Sequence, residues 1–217
     1  MHIHSVLGKD SIIKPNELVS VAREAGLDAV CVTEHHDYGL SQPFDEISHQ
    51  AGFPILRGLE YKAKEGHLLI YGVKMGRGGM PSQMPMQYVI DWVNTRDGVA
   101  VPAHPYQRDM FNGCLGDRLT DLNNLWAIET RNGSASELEN SQANHVADQL
   151  KTGKVGGSDA HGPSGIGKAY TVFPEPVTSM TELIAALKKQ NYTTESRLIF
   201  SVGDCAQFFK INRLSVL

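Results

Sequence analysis

Histidines and acids recur in short, spaced groups along this chain: His2-Ile3-His4, Thr33-Glu34-His35-His36-Asp37, Gly58-Leu59-Glu60, Gly66-His67, Ala103-His104-Pro105 and Ser158-Asp159-Ala160-His161. Imidazole and carboxylate without thiolate suit zinc, manganese or iron better than a structural thiolate site. More than four candidate ligands implies more than one metal. Residues two apart in an extended segment point to one side, so His2 and His4 can face a single point, and Asp159 and His161 repeat that spacing. A lone histidine at a strand end is usually structural or on the surface. The argument for a metal site rests on the recurrence.

Such residues need strand ends to hold them. Apolar and β-branched runs bounded by Gly, Pro and acids occur at 28–35, 54–61, 67–73, 99–104, 126–130, 154–158 and 169–173. Amphipathic stretches lie between several of them. Residues 15–25 open on Pro15 and are closed by Gly26, and 86–96, 137–151 and 179–190 also read as helices. This alternation predicts parallel strands covered by helices, an α/β fold. Six histidines then fall at strand ends, where a parallel barrel assembles its active face. His36, His49 and His145 stand apart: the last two read as surface residues, and His36 as a loop residue or a proton shuttle beside the cluster.

Two segments, 74–86 and 107–118, are longer than ordinary connections. Met75, Met80, Met84 and Met86 in the first read as rim packing in preference to a lid. No linker divides the chain, so residues 1–217 are expected to form one domain, with 176–217 as a C-terminal helix and tail packed on the barrel or on another subunit.

At 217 residues, 41% hydrophobic and 20% charged, the chain has the make-up of a soluble globular protein. A formal charge of −4 disfavours bulk-electrostatic nucleic-acid binding. Bound divalent cations would offset that charge, which weakens the exclusion to a preference. No apolar run approaches a membrane span, and Met1-His2-Ile3-His4 does not open a secretory signal. Three widely spaced cysteines make no disulfide framework, so a reducing cytoplasm is the expected setting.

Taken in order, the six groups resemble the PHP (polymerase and histidinol phosphatase) family over roughly residues 1–175. The resemblance implies a distorted (β/α)7 TIM-like barrel with a trinuclear metal site at the strand ends. By motif, His2, His4, Glu60 and Asp159 would hold a first metal. Glu60 would bridge to a second, also held by His67 and His104. His35, His161 and Asp10 would hold a third. The chain departs from the family pattern twice: Met1 directly precedes His2 where a short strand is usual, and Glu34 replaces an aspartate, which implies a structural role for it.

The chemistry implied is hydrolysis of a phosphate monoester of a small metabolite or nucleotide by metal-bound hydroxide, with two or three Zn, Mn or Fe ions. No serine triad, phosphate-cradling glycine loop or dinucleotide fingerprint competes. Phosphate calls for a further cation. Arg131, after the sixth strand, is the first choice because guanidinium can grip phosphate bidentately, and Lys62, two residues after Glu60, is the second. Arg77 and Arg108 read as solvent-exposed charges. The alternatives are a phosphodiesterase or exonuclease-like enzyme, or a metal-binding module without catalysis.

Overall fold

The computed structural model describes residues 1–76, 78–108, 113–197 and 215–216. Arg77 and most of the tail, including Phe200, Phe208, Phe209 and Ile211, lie outside the described residues. The fold is mixed α/β. Helix α1 (Pro15–Glu24) starts on proline, whose fixed φ suits a first turn, and buries Leu18, Val19 and Ala22. Strand β1 (Val30–Val32) follows, fully buried. Helix α2 (Pro43–Ala51), stopped by Gly52 at φ 55°, was not anticipated from the apolar pattern; Phe44 is its one fully buried side chain.

Next come β2 (Ile55–Arg57), β3 (Leu59–Lys62) and β4 (His67–Tyr71). Helix α3 (Met86–Asn94) buries Met86, Val89, Ile90 and Val93, and leads to β5 (Val99–Ala103). Strand β6 (Ala127–Asn132) precedes α4 (Glu137–Leu150), which opens on a Ser136/Glu139 capping box. Strands β7 (Gly153–Gly157) and β8 (Ala169–Phe173) are followed by α5 (Met180–Lys189), capped by Ser179 and Glu182. Strands β9 (Thr193–Ser196) and β10 (Ser215–Val216) flank β8.

The expectation of all-parallel strands is corrected. Parallel pairing holds for β1–β2 and β6–β7, but β3–β4–β5 is an antiparallel sheet and β8 pairs antiparallel with β9 and β10. The cause lies in residues 63–66. Four residues can close a hairpin, shown by the Ala63 N–H donating to Gly66 O at 2.8 Å, but cannot make a parallel crossover. Reversing β4 has a consequence for the site: His67, at the start of its strand, pairs with Lys62 and Ala103 and so sits at the same end as Glu60 and His104.

Among the described residues the ladders form four separate sheets rather than one closed ring. Isolated parallel bridges, Ile3 to Ala160 and His35 to Glu60, join them near the site. The Thr33 N–H also donates to Ile3 O at 2.9 Å, so the His2-Ile3-His4 segment lies between the end of β7 and the end of β1. Strand β4 is buried on both faces: Leu68 and Ile70 join the cluster under α3 and α4, whereas Leu69 and Tyr71 join another with Met1, Cys31, Val101, Val155 and Phe173. Met75, Met80 and Met86 pack into the former, as rim packing requires. No helix among the described residues is long and apolar enough to cross a membrane.

Candidate metal centre

Glu60, 1% exposed, is the hub of the cluster. Its Oε1 lies 2.7 Å from His67 Nδ1 and 3.0 Å from His104 Nε2. Its Oε2 lies 3.1 Å from His4 Nε2 and 3.3 Å from both His2 Nε2 and His35 Nδ1. One carboxylate thus meets five imidazoles, two on one oxygen and three on the other.

Asp159 approaches the same point from β7, with Oδ1 3.5 Å from His2 Nε2 and 3.6 Å from His4 Nε2. A third gathering surrounds Asp10: its Oδ2 is 3.0 Å from His35 Nε2, 3.5 Å from His161 Nε2 and 4.0 Å from His4 Nδ1. Ligand atoms of His2, His4 and Asp159, of His2, Glu60 and His104, and of His4, Asp10, His35 and His161 lie within 4.8 Å of one another in each group. All nine residues expected as ligands are therefore together. His35 is shared between Glu60 and Asp10 rather than confined to one side.

The donor set fits cations. His2 Nε2 and His4 Nε2 are 3.1 Å apart and aimed at one point, which suits a shared ion. His4 Nδ1 is buried without a hydrogen-bond partner. His104 and Asp159 also hold left-handed backbone conformations, φ 29° and 48°, which cost energy for non-glycine residues and persist where surrounding contacts impose them. For His104 the imposing contact is Glu129, whose Oε2 accepts its backbone N–H at 2.8 Å. The carbonyl of Asp159 accepts from Ser134 Oγ at 2.9 Å.

Glu129, 1% exposed in β6, is the functional residue that the strand-end pattern missed. Besides His104 N–H, it meets His2 Nδ1 at 3.1 Å and accepts from Asn132 Nδ2 at 2.9 Å. Its other contact with the site is steric: a β-carbon at Gly157 would collide with Glu129 Oε1 and come within 2.6 Å of His2 Cβ, so this position of β7 admits only glycine. An acid inside the otherwise uncharged run 126–130 was the available signal, since a buried carboxylate needs partners. Glu34 likewise accepts from the Ser5 N–H at 3.1 Å and from the Ser5 hydroxyl, fixing the chain just after His4.

Electrostatics follow from this crowding. Burial alone would lower the pKa of His2, but Asp159, Glu129 and Glu60 raise it well above the usual imidazole value. At His104 burial again opposes, and Glu60 drives the pKa above the usual imidazole value. Burial would raise Glu60, yet His2 and the hydrogen bonds from His104, His2 and His4 hold it well below the carboxylate range. His35 goes the other way, to about 4, through burial and the neighbouring His4 and His67. A cation binding at His2 and His104 would therefore compete with protons, whereas His35 favours its neutral form.

The expected phosphate grips divide. Lys62 lines a cavity of about 410 Å³ that opens from His35, His67, His104 and His161. Arg131 is not on it: its Nη1 donates to Ser196 Oγ at 3.0 Å and lies 3.5 Å from Glu137. A register shift between Glu129 and Arg131 puts Asn132, instead of Arg131, beside Glu129 and Asp159. Arg108, read as a plain exposed charge, lies on the cavity wall.

The chain has relatives among known proteins. The PHP domain family model matches residues 1–113, and the PHP-associated model matches 137–192. An uncharacterized protein of Methanocaldococcus jannaschii is 26% identical over 132 residues, covering 56% of this chain and 74% of its own. A candidate metal-dependent phosphoesterase of Bifidobacterium adolescentis superposes with a TM-score of 0.63 at 19% identity, over 86% of this chain and 94% of that one. The lesion-specific endonuclease of Pyrococcus furiosus does so with a TM-score of 0.59 at 15% identity, over 87% of this chain and 55% of its own.

Proposed function

The chain belongs to the PHP domain family of metal-dependent phosphoesterases, and from that premise we propose that it hydrolyses the phosphate monoester of a small metabolite or nucleotide at a trinuclear centre. The observation that carries this reading is the Glu60 carboxylate, divided between His67 and His104 on one oxygen and His2, His4 and His35 on the other. The ligand allotment is His2, His4, Glu60 and Asp159; then Glu60, His67 and His104; then Asp10, His35 and His161. We take the scaffold as an interrupted (β/α)7 barrel. Residues 1–217 would act as one domain, because Asp159 and His161, from the PHP-associated segment, meet His2, His4 and Asp10 from the other.

Bound zinc, manganese or iron would supply an activated water and neutralise the phosphate oxygens. The chain's own residues do the rest. Glu129 and Asn132 hold His2 and Asp159 in orientation without facing the cavity. His161 and Asp10, 41% and 32% exposed at their side chains, form the open side through which substrate enters and product leaves. Lys62 meets the anionic substrate from the cavity wall. The cavity volume suits a small ligand.

Metal analysis of the purified protein, followed by phosphate release from monoesters, diesters and single-stranded oligonucleotides, tests the reading. Monoester hydrolysis that is lost on chelation and restored by zinc, manganese or ferrous ion is the expected result. A metal-loaded protein inert on every monoester but active on oligonucleotides would overturn it.

A further inference from the structure

The cavity beside the metal-facing histidines is lined by more cations than one phosphate explains. Lys62, Lys64, Arg108 and Arg118 all line it, and besides Glu60 and Asp159 of the cluster the one acid on it among the described residues is Glu65. Glu65 is committed elsewhere, since its Oε2 accepts the Met86 N–H at the start of α3 at 2.8 Å. Arg108 interacts with Glu139. The remaining three face a centre whose own cations would repel them. An anion between them is what relieves that repulsion.

The placement is built into the strand. Glu60 and Lys62 flank buried Tyr61 in β3, so both project to one side, from the metal-facing carboxylate outward, and Lys64 joins the cavity wall from the hairpin connection that follows. At about 3.3 Å per residue, Lys62 starts roughly 7 Å beyond Glu60. Both lysine backbones are pinned, by the Gln83 N–H donating to Lys62 O at 2.8 Å and the Lys64 N–H donating to Met84 O at 3.0 Å. Across the cavity, Arg118 is steadied through Cys114 O at 2.6 Å and Leu115 O at 3.2 Å, leaving part of its guanidinium for another acceptor.

We propose that Lys62, Lys64 and Arg118 form a second anion subsite, and that the substrate carries a second anionic group, phosphate or carboxylate, beyond the ester being cleaved. This rests on the phosphomonoesterase reading, but its test does not use turnover. Alkylphosphonates are not hydrolysed, so they report binding alone. Calorimetric titration of the metal-loaded protein compares alkylphosphonates with ω-carboxyalkylphosphonates of equal length, two to five methylenes long, and includes a bisphosphonate series to separate carboxylate from phosphate preference.

The expected result is that at least one dianionic chain length binds about 10- to 100-fold more tightly than its plain counterpart, the scale of one charge-assisted hydrogen bond. Lys62→Gln/Lys64→Gln should erase most of that ratio, and Arg118→Lys, which keeps charge but loses the fork, should reduce it. Equal binding by both series, or a ratio unchanged in the double variant, would overturn the subsite. So would displacement of every dianion by a single-stranded oligonucleotide whose affinity depends on the same lysines, because a nucleic-acid backbone would then be the occupant. Absence of monoester hydrolysis would strike the proposed function alone and would leave a measured binding ratio standing.

Discussion

Glu60 and Asp10 are both carboxylates ringed by imidazoles, yet the protein holds them in opposite ways. Glu60 sits in a strand, buried, between five histidines, and its neighbours are themselves oriented by Glu129 and Asn132. Asp10 sits in a loop, about a third exposed, and meets His35, His161 and His4 at 3.0–4.0 Å. Burying Glu60 carries a desolvation cost that only charge partners offset, so the inner half must be complete to be tolerable. The outer half, around Asp10 and His161, is open to solvent. Under the proposed trinuclear reading, the contrast implies a tight, prebuilt pair beside a more labile third position.

Breaking the inner half should have the largest effect. Glu60→Ala is expected to lower phosphate release at least 10³-fold, because both ligand groups lose their common oxygen donor; steady-state kinetics at saturating metal checks it. Acidification comes next and separates the halves. Since His2 and His104 have raised pKa values, binding to the inner pair competes with their protons, so its affinity should fall as the pH drops, by up to about 100-fold per pH unit where both are protonated. The outer position, resting partly on His35 at about 4, should weaken less. Chelator competition at pH 6, 7 and 8 measures both.

Glu129→Gln keeps the shape but removes the charge that orients His2 and anchors His104. It should weaken the inner ions by about 10- to 100-fold and leave the outer ion's affinity unchanged, as read by calorimetry. The smallest effect belongs to Asp10→Asn. It should cost one ion per chain by elemental analysis and lower activity about tenfold, while denaturant melts shift by less than roughly 0.5 kcal/mol, since the residue is partly exposed and lies in a loop.

How much of this was legible depended on the kind of residue. Histidines and acids at the ends of apolar runs stand out because they recur at one run after another, and all nine expected ligands converge. Strand direction was not legible, because an apolar run such as Leu68-Leu69-Ile70-Tyr71 reads the same in a parallel or an antiparallel ladder. The four-residue connection before it was the clue. Helix α2 escaped because Asp45, Glu46, Ser48 and His49 leave few apolar positions to set a period. Arg131 was misplaced because a bulge, invisible in the sequence, shifts the register by one and hands the inward position to Asn132. Glu129 went unnoticed because it sits inside its strand rather than at the end.

The central claim is that Glu60 joins two cations through its two oxygens. Anomalous diffraction at the zinc edge, from crystals of the zinc-loaded protein, tests it most directly. One anomalous peak bonded to Oε1 together with His67 and His104, and another bonded to Oε2 together with His2 and His4, is the predicted result. Zinc bound elsewhere, with either Glu60 oxygen uncoordinated, would contradict it.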